Sequence, residues 1–150
     1  MKNITIHVKA YAKSKLLERY AVTDASVHDS QKLAELVATV DGAVFADSAY
    51  RSAEAEAMLA QKQVTSHIHE RAYRNRPLSD EQKESNRQKS KIRARIEHIF
   101  GFMSQSMKGF YLRYIGRRRN AAAIGLINLI YNLARYEQIV RLKLLPRTAA

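Results

Sequence analysis

Two carboxylates stand in places where a purely structural chain seldom leaves them. The run Ala43-Val44-Phe45-Ala46 ends on Asp47, so a short apolar strand delivers an acid to its carboxyl end, with Ser48, Arg51 and Ser52 just beyond. Ligands of open α/β sheets gather beyond such strand ends. Glu97 lies in "KIRARIEHIFGF", the only acid between Glu84 and Glu137, beside the apolar Ile96 and four residues after Arg93. Each acid has a plain reading. Asp47 caps the helix that follows, and Glu97 pairs with Arg93 across one helical turn for about 0.2–0.5 kcal/mol. The other reading of Asp47 is that it holds a metal ion. These positions alone leave both readings open. His67 and His69 alternate along a predicted strand and so share a face, a spacing that can serve Zn²⁺, but no third ligand accompanies them. There is no G-x-x-x-x-G-K-[ST] loop and no local Ser-His-Asp motif, so nucleotide hydrolysis and serine chemistry have no support.

The elements that must position these residues follow from periodicity and capping. Ile4, Ile6 and Val8 alternate with polar residues and predict a half-buried strand; Lys13-Ser14-Lys15 turns the chain into a second one over Leu16 to Val22. Asp29 or Ser30 is placed to cap a helix carrying Leu33, Leu36, Val37 and Val40. Asp41-Gly42 turns into the strand that ends on Asp47. Ser52 caps the next helix, with Glu54 and Glu56 in its first turn, where the helix dipole favours acids. Val64 to Ile68 is a further strand. Ser79 and Gln82 form a capping box, so a helix begins near Asp80 and runs to about Met107, with Ile92, Ile96, Ile99 and Met103 along one stripe before Gly109 ends it. A last helix over Asn120 to Leu142 is apolar on nearly every side, which predicts burial. The order β-β-α-β-α-β-α-α implies a mixed sheet covered by helices.

At 150 residues and 46% hydrophobic content the chain suits one domain with one core. With no cysteine there is neither a disulfide framework nor a thiolate metal site, which suits a reducing compartment. Neither end reads as a signal peptide, and the apolar stretch from Ala121 to Leu133 is too short to span a bilayer. Charge is uneven. Residues 1–70 carry 8 basic and 9 acidic groups, whereas residues 71–119 carry 14 basic and 4 acidic ones within a net charge of +12. A near-neutral front joined to a basic middle suggests one surface presented to a polyanion, against the simpler reading of a solvated basic helix. A membrane-surface helix would need a broad aromatic and leucine face, which this segment lacks. Arg71, Arg74, Arg76, Arg87, Lys89, Lys91, Arg95, Arg117, Arg118 and Arg119 form the expected footprint on the phosphates of such a polyanion. Tyr73, Phe110, Tyr111 and Tyr114 lie among them, able to stack on bases or to pack in the core.

Taken together, "VTDASVHDS", "VFADSAYRS", "HERAYRNRPLS" and "RARIEHIFGFM" occur in the order and spacing of one family. From about residue 3 to residue 143 the chain resembles the DDE transposases of bacterial insertion sequences. The resemblance implies an α/β, RNase H-like mixed sheet flanked by helices and lacking its first strand, with residues 1–143 as a partial catalytic domain and 144–150 as a tail. It implies that Asp47 is the second catalytic aspartate, Glu97 the catalytic glutamate and Arg93 its accessory arginine. The implied cofactor is Mg²⁺ (or Mn²⁺), held in such enzymes by three carboxylates; paired ions about 3.5–4 Å apart activate the attacking oxygen and stabilise the leaving one. The implied reaction is cleavage of DNA at insertion-sequence ends followed by strand transfer. Its partners are transposon-end and target DNA, an upstream reading-frame product or another transposase copy, in a bacterial cytoplasm close to the nucleoid.

The departures carry equal weight. The family's first aspartate lies on a strand preceding the hairpin, and here no acid precedes Glu18. Tyr11 occupies a hairpin position where relatives often have aspartate, and Ser90 and Ser104 replace a tyrosine and a lysine typical of the motif around the glutamate. The expectation is therefore a split transposase frame or the remnant of a truncated element, inactive alone. The rival is a DNA-binding or regulatory fragment that occupies transposon ends without cutting them.

Overall fold

The computed structural model describes residues 4–74, 76–109, 112 and 114–144, with the side chains of Asp29 and Ser30 outside that description. The α/β order expected from the sequence is present. Strands β1 (Ile4–Ala10) and β2 (Leu17–Asp24) form an antiparallel hairpin with Ile4 opposite Asp24. Asn132 braces it from the far end of the chain: its side chain accepts from the Leu17 amide and donates to the Leu17 carbonyl, both at 2.8 Å.

The helix expected through Val40 is cut short. A 3₁₀ turn over Asp29–Lys32 leads into α1 (Leu33–Leu36), Val37 is already extended, and Val40 is 86% exposed. Side chains satisfy the backbone groups that another helical turn would have used. Lys62 donates to the Ala34 and Val37 carbonyls at 3.2 and 2.6 Å, and the Asp41 carboxylate accepts from the Ala38 amide at 2.8 Å. The proposed caps Asp29 and Ser30 lie outside the described side chains.

Strands β3 (Ala43–Ala46) and β4 (Thr65–Ile68) run parallel, Ala46 opposite Ile68, joined through α2 (Ala53–Gln61). Ser52 caps α2, accepting from the Ala55 amide at 3.0 Å. The capping box at the start of α3 (Asp80–Gly101) is complete: Ser79 accepts the Gln82 amide at 3.2 Å and Gln82 accepts the Ser79 amide at 3.0 Å. The helix continues as a π turn over Phe102–Ser106, so the predicted end near Met107 holds. Gly109 fits because a Cβ there would meet Ile127 at 3.0 Å and the Met103 carbonyl at 3.3 Å. Helix α4 (Arg117–Arg141) begins three residues before the expected Asn120, directly after Gly116 at φ 93°, a conformation glycine adopts without strain.

Among the described residues the strands form two two-stranded sheets rather than one continuous sheet. The core divides the same way. Leu33, Val37, Ala55, Leu59, Val64 and Ile68 close one cluster over β3 and β4, while Leu17, Ile99, Met103 and Tyr131 close a second between the hairpin, α3 and α4. The hydrogen bonds and ion pairs between the two halves are polar. His7 on β1, nearly fully buried, bonds Tyr50 at 3.1 Å and Thr23 at 3.0 Å. Lys9 on β1 reaches Asp41 at 2.7 Å and Glu18 at 2.5 Å; burial works against its charge, but the two carboxylates outweigh it and raise the ammonium pKa.

The expectation of an all-round buried last helix is corrected. Ile124, Asn128 and Tyr131 are buried, but Leu126, Leu129, Ile130, Leu133, Tyr136 and Val140 are between 54% and 62% exposed. One face of α4 covers the second core and the other is bare. Among the described residues no helix is long and apolar enough to cross a membrane.

Candidate functional site

Asp47 leaves the carboxyl end of β3 with an extended backbone and opens a 3₁₀ turn over Ser48–Tyr50, its side chain accepting the Ser48 amide at 2.6 Å. Capping is therefore one of its contacts, as the plain reading expected. Its second oxygen meets Arg93 of α3 at 3.2 Å. The same guanidinium holds Glu97 at 2.9 Å, the expected i,i+4 pair. Arg93 thus gathers, on one side chain, two acids separated by fifty residues of chain. Both carboxylates face solvent, 49% and 62% exposed, whereas Arg93 is more enclosed at 32%.

The place is set by the seam of the fold. Asp47 belongs to the half built on β3 and β4, Glu97 to the half built on α3 and α4, and Arg93 ties them together. The neighbouring strand end supplies a residue whose position spacing did not reveal. Because Ala46 pairs with Ile68, Asp47 and His69 leave adjacent parallel strands at the same level. His69 contacts Ser90 at 3.4 Å, one of the two serines that depart from the family pattern. Burial, then the positive charges of Arg93 and Lys89, push the His69 pKa below its ordinary value of 6.5, with Asp47 pulling the other way. The sequence showed His69 only as half of a His-x-His alternation. Its partner His67 instead stacks on Phe45, ring centroids 4.5 Å apart.

Whether a divalent cation suits this place is a question of donor chemistry. Two carboxylates offer hard oxygens, and Mg²⁺ commonly takes one or two carboxylates and completes its shell with water and substrate phosphate. Among the described residues no group of three His, Cys, Asp or Glu side chains gathers to make a self-sufficient cage. By donor chemistry alone, Asp47 and Glu97 would suit a cation that took the rest of its shell from water and phosphate, and in this structure the Arg93 guanidinium stands against both acids.

The basic footprint divides by role. Arg71, Arg74, Arg76, Arg117, Arg118 and Arg119 are exposed. On α3, Arg87, Lys91 and Arg95 share one face, and at 100° per residue that face lies well around the helix from Arg93 and Glu97. Arg95 already donates to the Ala12 carbonyl and Arg87 pairs with Glu84. Lys89 is structural: 14% exposed, it donates to the Ile68 carbonyl at 3.1 Å and pairs with Glu70 at 3.5 Å. Arg51 meets the same Glu70 at 2.8 Å. Tyr73 and Tyr114 are more than half exposed; Phe110 and Tyr111 lie outside the described residues.

A family model described as the transposase DDE domain matches residues 2–133. No solved structure matches the chain. An acid at the end of a parallel strand, a second acid on the following long helix and a match across most of the length agree with one another, and the chain belongs to the transposase DDE domain family, with the α/β, RNase H-like fold of that class.

Proposed function

We propose that residues 1–143 form part of the catalytic domain of an insertion-sequence transposase acting on DNA, with 144–150 as a tail. In this reading Asp47 and Glu97 are two of the metal-binding carboxylates and Arg93 is their accessory cation. The observation that supports it most is the convergence of Asp47 and Glu97 on Arg93 across the seam of the fold. Bound Mg²⁺ or Mn²⁺ would supply Lewis-acid activation of a phosphodiester and of the attacking hydroxyl. The chain's own contributions are simpler. Asp47 and Glu97 bring negative oxygens to one point, Arg93 offers a fork that matches a phosphate, and the exposed arginines draw in the DNA backbone.

Two carboxylates are one short of the family set, so the 150-residue chain does not cut DNA by itself; cutting requires an aspartate from a segment or partner outside it. The purified chain incubated with supercoiled plasmid in Mg²⁺ or Mn²⁺ should leave it intact. Robust nicking abolished by Asp47→Asn would overturn the inactive reading while upholding the assignment of Asp47. Nicking unaffected by both Asp47→Asn and Glu97→Gln would sink the site itself. DNA binding without cutting is also what the rival regulatory role requires, and restored cutting on adding an aspartate-bearing partner separates the two.

A further inference from the structure

The bare face of α4 is patterned. Leu126, Leu129, Leu133, Tyr136 and Val140 follow one another at intervals of 3, 4, 3 and 4 residues, with Ile130 beside them. That spacing keeps one seam in line along a helix and lets it interlock with another helix of the same kind. No charged residue occurs from Asn120 to Ala134, so nothing interrupts the seam there. The opposite face is spoken for by Ile124, Tyr131 and the contacts of Ile127 with the second core. Six side chains of this size, each more than half exposed, leave on the order of 500 Å² of apolar surface in water, as large as the largest patch normally found on a monomer. Two such faces laid together would bury on the order of 1,000 Å², the floor for a specific interface.

We propose that this face is a self-association surface on which α4 of a second copy of the chain docks antiparallel. A second copy is the occupant because the seam is self-complementary: with the helices opposed, Leu129 meets the partner's Leu133 and Leu126 meets the partner's Tyr136. Charge selects the direction. Parallel pairing would set two Arg117-Arg118-Arg119 clusters side by side at the positive ends of two helix dipoles, whereas opposed pairing places the two clusters a helix length apart and sets the two dipoles head to tail. This does not rest on any role for Asp47 or Glu97.

The test is the oligomeric state of the 150-residue chain by sedimentation at 1–100 µM (about that range, where interfaces near the size floor report). A concentration-dependent dimer is expected, and Leu133→Lys should abolish it while leaving the far-ultraviolet circular dichroism unchanged, because Leu133 is already exposed. The chain has no cysteine, so introduced ones report alone. Leu126→Cys mixed with Tyr136→Cys should cross-link under mild oxidation, and neither should cross-link with itself. A monomer throughout the range would overturn the proposal and leave the face to another segment or protein. A dimer indifferent to Leu133→Lys, or efficient cross-linking of Leu126→Cys with itself, would overturn it equally.

Discussion

At the scale of single residues, Arg93 decides more than either acid it touches. An exposed ion pair contributes little to stability, about 0–1 kcal/mol, so the contacts at 3.2 and 2.9 Å matter for where they hold two carboxylates rather than for how firmly they hold the fold. His69 reports on the same charges. Its folded pKa is depressed by burial and then by Arg93 and Lys89, so below pH 6.5 the unfolded chain takes up the proton first. The contribution of His69 to stability is thus complete above that value and is lost as pH falls through the folded pKa. A ¹H–¹³C titration of the imidazole should place its pKa below 6.5, and Arg93→Gln should move it upward. No movement would mean that the guanidinium does not stand close enough to His69 to act on its charge. Asp47 and Glu97 were legible because their neighbours made them anomalous: one closes an apolar run and the other is a lone acid in a basic helix. His69 was not, since its importance comes from the register of β3 against β4, and a four-residue parallel pairing leaves no periodic trace that fixes which residues align.

At the scale of elements, capping chemistry was a dependable guide where the cap is local. Ser52 and the Ser79–Gln82 box bond to amides three residues away, so nothing distant can change them. Helical spacing, not capping, misjudged α1, whose end depends on Lys62 arriving from α2 and on Asp41 being drawn to Lys9. Lys9 is the element-level joint, tying the hairpin to the turn before β3 with its side chain only 15% exposed and that of Asp41 10%. Lys9→Met removes the cation and leaves two largely buried carboxylates facing each other. It should cost about 1–3 kcal/mol, read as a lower midpoint in urea denaturation. An unchanged midpoint would show that the hairpin and β3 are not joined through this contact.

At the scale of the whole molecule, two small cores among the described residues meet along a polar seam, and Arg93 links Asp47 to Glu97 across it. The basic surface acts at the same range. If Arg71, Arg74, Arg76, Lys91 and Arg117 to Arg119 meet DNA phosphates, affinity for duplex should fall about 10³–10⁵-fold between roughly 50 and 200 mM salt, with a logarithmic slope near −0.9 per contact. Replacing Arg117, Arg118 and Arg119 with alanine should flatten the slope by about three, while Lys89→Ala should leave it unchanged because that lysine is held by Glu70 and a carbonyl. A salt-independent affinity would remove the footprint altogether.

Composition, alternation and short-range caps were sufficient to read an α/β chain, its order of elements, a basic surface and two suspect acids, since each of these is written within a few neighbouring residues. Folding in three dimensions settled the rest: that Arg93 gathers both acids, that Lys89 braces a strand end rather than facing the solvent, that the strands among the described residues fall into two sheets, and that half of α4 is bare. Those outcomes depend on which surfaces meet across long stretches of chain, and an apolar helix reads the same in one dimension whether its second face is covered or left in water.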